Sequence, residues 1–391
     1  MLNSMSHKKK TVAVIFGGRS AEHDVSIITA HTPIIQSLLA TGQFDVVPVY
    51  ITKEGLWYSD NAMNDMDFFK DTNFEKGLKN QKPIQLSFEK GLKFIYPSFI
   101  SKSISIDVVF PAMHGTFGED GSLMGLLRMA GVPFVGCDLF ASAVAMDKAF
   151  TKQVISSEGI PVVPFVWFTR NEWQNQKELL KEKISKLRLP LFVKPVHLGS
   201  SIAITKVKEN NELENAIEVA LHYDDKVLVE EGVEDLIEVT LPIMGNNELR
   251  LAGVERPLNK TEFFDFNDKY LSQGKKGGGA NNHYSEIPAK ISDDLIKKVE
   301  EYGQATYRVL GCSGIARVDF LIDGSTNKVY VNEVNTLPGS LYHHNWKMAG
   351  VSNIELVTTL IKLAEERFVE ERNLTRTFAS SILQKSEGDK V

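Results

Sequence analysis

The sequence predicts an α/β chain: a parallel-sheet unit in its first third, then a longer part of mixed α+β character. Two observations predict it. Short apolar runs near the start alternate with helical periodicities, and strands separated by helices favour parallel pairing with ligand groups at the strands' carboxyl ends. Further on, two strand patterns flank Asp323-Gly-Ser-Thr-Asn327, the turn residues a hairpin requires.

Taken in order, residues 11–16 (Thr-Val-Ala-Val-Ile-Phe) read as a buried strand. Residues 25–40 carry Ile27, Ile28, Ile34, Ile35, Leu38 and Leu39 at helical spacing. Strands over 46–51 and 106–110 follow, the second leading through a loop at 111–121 into a helix over 122–130. Residues 60–82 are polar and poorly periodic, a surface excursion. Beyond about residue 135 the pattern gives a helix over 139–157, a strand over 162–168 and a charged helix over 171–187. Strands at 191–195 and 202–207 flank His197-Leu-Gly-Ser-Ser201, and a helix over 212–223 precedes a strand at 226–230. Strands at 237–243 and 249–254 come next, then an irregular stretch at 263–285. A helix over 292–310, opened by Ser292-Asp293-Asp294, leads to hairpin strands at 315–322 and 328–334, and a helix over 353–367 closes the core.

A length of 391 residues makes two or three domains at roughly 150 residues each. Hydrophobic residues at 43% and charged residues at 24% exclude global disorder. A net charge of −6 gives no general footprint for nucleic acid, so none is expected as a partner. Cys137 and Cys312 are too few for a disulfide framework or a structural zinc site and read as core residues. The first ten residues are polar and basic, the apolar run after them is short for a signal sequence, and no stretch suits a bilayer. A cytoplasmic protein without membrane attachment is expected.

The hairpin carries the strongest chemical signal. Residues two apart on a strand share a face, so Arg317 and Asp319 point one way and Ala316, Val318, Phe320 and Ile322 the other. Glu333 and Asn335 share a face with Val331. If register joins these faces, three oxygen donors and one guanidinium converge, and Asp, Glu and Asn are the hard ligands Mg²⁺ uses with substrate phosphates. The bland alternative is a solvated sheet face. Asn335-Thr-Leu-Pro-Gly339 adds a turn whose Gly339 N–H would stand beside the ions, suited to developing negative charge.

Phosphates need cations. Lys194 ends an apolar strand before Pro195, and Lys148 sits in Met146-Asp-Lys148; each is otherwise a surface lysine. Gly199-Ser200-Ser201 would lay N–H and hydroxyl donors over a polyphosphate, although no P-loop is present. In the N-terminal loops, Glu22 would suit a substrate ammonium or simply cap a helix, and His114 lies among glycines that permit close approach to a ligand.

These residues sit in motifs, VAVIFGGRSAEHDVS, HGTFGEDG, VPFVGCD, MDKAFTK, FVKPVHLGSS, DFNDKY, ARVDF and EVNTLPG, that occur in one order from Thr11 to about Phe368. In them the sequence resembles the D-alanine–D-alanine ligases of the ATP-grasp superfamily. The resemblance implies a tail over 1–10, an N-terminal substrate domain over 11–134, ATP-grasp subdomains over 135–232 and 233–372 with a mobile loop at 264–286, and a flexible tail over 373–391. It implies ATP-dependent joining of two D-alanines through an acylphosphate, for peptidoglycan precursor synthesis, with two Mg²⁺ (or Mn²⁺) ions. The partners it implies are small molecules, D-alanine and ATP, and a second copy of the chain in a homodimer.

By position, Glu22 would bind the first ammonium, with Ser200 and Tyr270 in a hydrogen-bonded chain and His114 beside the site. Lys148, Lys194, Ser201 and Lys269 would hold the phosphates. Glu230 and the backbone through Glu231 to Val233 would read adenine, and Glu238 the ribose. Arg317 and Gly339 would stabilise the oxyanion, and Asp319, Glu333 and Asn335 would ligate the metal. This chain departs from the family at Phe264 and Phe266, where tyrosines are usual, at Ala203, where glycine is usual, and at His344, which replaces a serine that holds the second carboxylate. The alternatives are a ligase of the same mechanism with a different second amino acid, or a catalytically silent ATP-binding protein.

Overall fold

The structure, a computed structural model, describes residues 8–98, 102–199, 202–258 and 285–380. β1 (Lys10–Gly17) is paired in parallel with both β2 (Phe44–Ile51) and β7 (Val108–Pro111), and β3 (Trp57–Tyr58) joins β2 antiparallel. Alternation along β1 divides its side chains between two cores. Val12, Val14 and Phe16 face one side, and Ala13 and Ile15 the other with Val47, Val49 and Phe94. Antiparallel β4 (Gln85–Ser87), β5 (Lys93–Tyr96) and β6 (Lys102–Ser105) form a small sheet that brings Phe94 to that second core.

The expected first helix runs as His23–Thr29, a π-helical turn Ala30–Ile35 and Gln36–Thr41. Pro33 lies inside the wide turn, where its missing N–H breaks the ordinary ladder. The stretch at 60–82 is more than a surface excursion. Met63 and Leu78 are buried, and Phe68, Phe69 and Phe74 pack on the core holding Phe16 and Tyr50. Aromatic side chains anchor a segment whose composition is mostly polar.

The helix expected over 139–157 is two, Leu139–Met146 and Lys148–Ser157. Asp147 breaks it with extended backbone and caps the second, its Oδ1 accepting from Phe150 N at 2.8 Å. The next sheet is antiparallel: β8 (Phe165–Thr169), β9 (Leu191–Pro195), β10 (Thr205–Val207) and β11 (Lys226–Glu231) lie in the order β10-β9-β11-β8. Its apolar face packs on helix Leu213–Tyr223. The helix expected over 171–187 is likewise divided, into Arg170–Asn175 and Lys177–Ile184.

The third four-stranded sheet is built from β12 (Leu236–Gly245), β13 (Leu249–Leu251), β16 (Gly314–Asp323) and β17 (Lys328–Asn335), in the order β13-β12-β16-β17. Between β13 and β16, β14 (Arg256–Pro257) pairs with β15 (Ser285–Glu286). Helix Asp293–Val309, capped by Ser292, covers the apolar face of this sheet. The final helix, Asn353–Arg372, packs back on the N-terminal core through Leu356, Leu360 and Ile361. From it the half-buried Arg367 donates to Phe134 O at 2.8 Å and to Gly136 O and Ser313 Oγ at 2.5 Å each, joining the first sheet's exit to the third sheet's entry.

Both cysteines are buried and free, as expected. Residues 8–9 precede β1, which starts at Lys10, and residues 373–380 are exposed without regular structure. Residues 1–7 and 381–391 of the two expected tails lie outside the described residues, as do 264–284 of the expected loop. No helix among the described residues is long and apolar enough to cross a membrane.

Candidate active site

The hairpin gathers its charges by register. Arg317 stands opposite Asn335 and Asp319 opposite Glu333, and the register then shifts between Asp319 and Phe320. The shift corrects one sequence expectation: Val331, opposite Phe320, is in the apolar core and does not share the face of Glu333 and Asn335. One extra residue in one strand reverses the parity beyond it. Ala316, Val318, Phe320 and Ile322 fill that core as expected.

On the polar face the Arg317 guanidinium grips Asp319 with two donors, at 2.6 and 2.5 Å, and the Asn335 amide donates to Asp319 at 3.0 Å. Burial opposes the charge on Arg317, but Asp319 outweighs it and holds the guanidinium protonated well above its usual range. The Tyr342 ring lies over this guanidinium, 4.7 Å from Cζ to centroid. Asp319, Glu333 and Asn335 are the hard oxygen bearers of this patch. Two carboxylates directly opposite each other repel unless a cation stands near, so the donor set fits a divalent ion shared with phosphate oxygens.

Helix Lys148–Ser157 and the second sheet bring cations to the same place. Lys148, at the start of its helix, has Nζ 3.5 Å from Glu333 Oε2 and donates to Leu198 O at 2.8 Å. Lys194 is ion-paired with Glu230, whose other oxygen lies 3.0 Å from Lys152 Nζ. Burial penalises the Glu230 carboxylate, yet Lys152 and Lys194 outweigh it and hold its pKa down at about 2. Burial also works against Lys194, but Glu230, with Glu333 and Glu238 beyond it, raises that lysine; the fully buried Lys152 is lowered by burial. Lys152 was missed by the sequence reading, although it follows Lys148 by one helical turn in MDKAFTK. Glu230 therefore spends its carboxylate on two lysines, and Glu231 is gripped by Arg188 at 3.1 Å.

Gly17 and Gly18 turn the chain out of β1 with φ of 86° and 102°, where a side chain on Gly17 would strike Ile51 O. The turn brings Glu22 against two other loops. Its Oε2 is 3.0 Å from where a Cβ on Gly115 would stand and 3.7 Å from one on Gly199. His114 is buried and links three segments: its Nε2 meets Thr29 Oγ1 at 2.8 Å, and that oxygen accepts from Ser340 N at 3.1 Å. Burial disfavours its charge, but Glu119, 3.5 Å from Nδ1, raises its pKa.

Gly339 opens a turn in which Ser340, Leu341 and Tyr342 all have left-handed backbone, with φ of 48°, 53° and 50°. Such a run in non-glycine residues is strained and aims the Tyr342 ring at Arg317. His344 follows, with Nε2 3.1 Å from the buried Glu255 and its ring 5.0 Å from that of Tyr342. Ser200, Ser201, Lys269 and Tyr270, with Phe264 and Phe266, lie outside the described residues. A cavity of about 460 Å³ lined by Lys90, Arg128, Phe134 and Arg372 includes none of the candidate residues. Arg128 and Arg372 close helix C-termini there and offset carbonyl charge.

Two tests follow from this geometry. Glu230→Gln leaves two buried ammonium groups without their counter-charge and is expected to destabilise the fold by about 3 kcal/mol in urea unfolding at pH 7. Because the folded pKa of Glu230 is depressed, its contribution is present above about 4.5 and is lost as pH falls toward 2. The gap between wild type and variant must therefore close over that range; a gap independent of pH contradicts the assignment. Ala203 holds a left-handed φ of 58°. Ala203→Gly should raise stability by about 0.5–1 kcal/mol by relieving it, and a lower melting temperature would contradict that.

Comparison with known proteins shows the family. Residues 11–137 match the family D-ala D-ala ligase N-terminus, and residues 154–362 match D-ala D-ala ligase C-terminus. The chain is 38% identical over 362 residues to the D-alanine–D-alanine ligase of Thermosipho africanus, covering 93% of this chain and 95% of that one. It is 37% identical over 389 residues to that of Natranaerobius thermophilus, covering 96% and 100%. Similar solved structures include the D-alanine-D-alanine ligase from Coxiella burnetii, with a TM-score of 0.79 and 29% identity over 94% of this chain and 97% of that one. The VanG D-Ala:D-Ser ligase from Enterococcus faecalis has a TM-score of 0.75 and 35% identity over 91% and 100%. Sequence, fold and the order of the motifs lead to one conclusion: the chain belongs to the D-alanine–D-alanine ligase family.

Proposed function

We propose that the protein uses ATP to join two D-alanine molecules into a dipeptide for peptidoglycan precursor synthesis, in the cytoplasm and as a homodimer. The observation that carries the reading is the meeting of the third sheet with helix Lys148–Ser157: the quartet Arg317, Asp319, Glu333 and Asn335 stands beside Lys148, whose Nζ is 3.5 Å from Glu333. The three sheets support a division into a substrate domain over 11–134 and ATP-grasp subdomains over 135–232 and 233–372.

The first D-alanine is held by its ammonium on Glu22, beside His114, with Ser200 and Tyr270 completing a chain of hydrogen bonds. Its carboxylate oxygen attacks the γ-phosphorus of ATP, forming an acylphosphate and releasing ADP. Lys148, Lys194, Ser201 and Lys269 hold the phosphates, Glu230 through Glu231 to Val233 flank the adenine, and Glu238 binds the ribose hydroxyls. Asp319, Glu333 and Asn335 would hold two Mg²⁺ (or Mn²⁺) ions, which when bound neutralise phosphate charge. The deprotonated amine of the second D-alanine attacks the acyl carbon, and the tetrahedral oxyanion is stabilised by Arg317 and the Gly339 N–H. Collapse breaks the C–O bond, phosphate departs as inorganic phosphate, and the nitrogen gives up one proton to solvent, leaving the peptide. No protein nucleophile is needed; positioning and charge complementarity do the work.

A second reading keeps this chemistry and changes the acceptor. It is favoured by the His344–Glu255 pair at 3.1 Å, which stands where the family uses a serine, and by the likeness to a ligase named for D-serine. Incubation with ATP, Mg²⁺ and a panel of D- and L-amino acids, with products identified by mass, separates the two. D-Ala-D-Ala from D-alanine alone is the expected product, and turnover only with another acceptor overturns the first reading. His344→Ser should change the apparent KM for the second substrate several-fold and leave that for the first nearly unchanged. Equal effects on both would remove His344 from the acceptor site.

A further inference from the structure

We propose that His197 is a positioning residue for the nucleotide phosphates: its imidazole, clamped between Asp147 and Asp224, ties the chain leaving β9 at residues 196–198 to the helix carrying Lys148. The inference rests on the proposed ATP-dependent function and adds to it a residue that makes no phosphate contact of its own.

His197 is anchored three ways. Its backbone N donates to Asp224 Oδ2 at 2.7 Å, Nδ1 lies 3.0 Å from Asp224 Oδ1, and Nε2 lies 3.3 Å from Asp147 Oδ2. Both carboxylates are buried. Asp147 is itself bound by Lys226 at 2.6 Å, and that ammonium rests on the Phe150 and Trp167 rings at 3.5 and 4.2 Å. One carboxylate thus caps the helix that begins at Lys148, accepts from Lys226 and faces His197. Directly beyond the clamp, Lys148 N donates to Val196 O at 3.4 Å and Lys148 Nζ to Leu198 O at 2.8 Å. The imidazole therefore fixes the position of Lys148 relative to the chain at residues 196–198, and so where the Lys148 ammonium stands when it meets a phosphate.

The charges around the ring decide its state. From the helix junction it meets Asp147, with Lys148 next in sequence; from the turn before β11 it meets Asp224 and Asp225, with Lys226 behind Asp147 and Arg170 on the Asp224 carbonyl at 2.9 Å. The two carboxylates that touch the ring, Asp147 and Asp224, share one ammonium, Lys226, and the exposed Asp225 adds a third negative charge nearby; the imidazolium supplies a second cation with both N–H groups donating. The same arrangement argues against a metal at His197, Asp224 and Asp225, since a ligand imidazole must offer one nitrogen lone pair and both nitrogens here face carboxylates. Donation to Asp147 and Asp224 raises the ring from 6.5 to about 9, and although burial penalises the Asp147 carboxylate, donation from His197, Lys226 and Phe150 N holds its carboxyl down at about 2. A raised folded pKa stabilises fully below 6.5 and loses that contribution as pH rises through about 9.

The test is binding of ATP with Mg²⁺ to the full chain, without amino acids, by calorimetry from pH 7 to pH 10. Wild type should bind with a constant Kd up to about pH 8 and weaken with a midpoint near 9. His197→Gln should raise Kd on the order of tenfold at pH 7.5, as expected when a group orienting a binding residue is lost, and should abolish the step near pH 9. His197→Arg, with a permanent charge, should keep most of the affinity and show no step; it also serves if the glutamine variant fails to fold. An unchanged Kd and pH profile in His197→Gln, or a surviving step in His197→Arg, overturns the inference alone. Failure of the wild-type protein to bind ATP at any pH overturns the proposed function, and this role with it.

Discussion

A carboxylate pair on adjacent strands is repulsive unless a cation answers it, and the third sheet is arranged around that demand. β16 and β17 place Asp319 directly opposite Glu333. The apolar faces of the same strands bury Ala316, Val318 and Phe320 under helix Asp293–Val309, so neither strand can slide without exposing its core. Among the described residues Arg317 grips Asp319 and Lys148 approaches Glu333 from the start of helix Lys148–Ser157. In the proposed reaction these are also the groups that meet phosphate and oxyanion charge.

That coupling extends outward through groups whose charges come in balanced sets. Glu230 joins Lys152 and Lys194 inside the second sheet, while Asp147 joins Lys226 and His197 at its edge. A further line of hydrogen bonds, from His114 through Thr29 to Ser340, runs from the first sheet's loops to the turn at Gly339. Each sheet alone would present an incomplete site. Arg367 and the apolar face of helix Asn353–Arg372 hold the first and third sheets together, which keeps Glu22 and Arg317 in one structure.

Much of this was legible in the sequence where a local rule is strict. Pleat parity assigned the faces of Arg317 and Asp319, and the apolar runs of β1, β2 and β16 gave strands within a residue or two of those observed. Parity failed at Val331 because a register shift is a property of two strands and leaves no mark in either. The single helix expected over 139–157 failed for a related reason: Asp147 is an ordinary residue in a periodic pattern until Lys226 and His197 converge on it. Lys152 escaped notice because a buried lysine is unusual and becomes sensible only once Glu230 lies beside it. Residues 60–82 misled through composition, since a few phenylalanines outweigh many polar neighbours in deciding what is anchored.

The account stands on Asp319 and Glu333 acting together as a seat for a divalent ion carried with nucleotide phosphates. The direct measurement is an electron paramagnetic resonance titration of Mn²⁺ into the protein with a non-hydrolysable ATP analogue, in wild type and in Glu333→Gln. The account predicts nucleotide-dependent Mn²⁺ binding that is weakened many-fold by the substitution, with the unaltered backbone near Val233 still retaining the analogue. Equal Mn²⁺ binding by both proteins would contradict it.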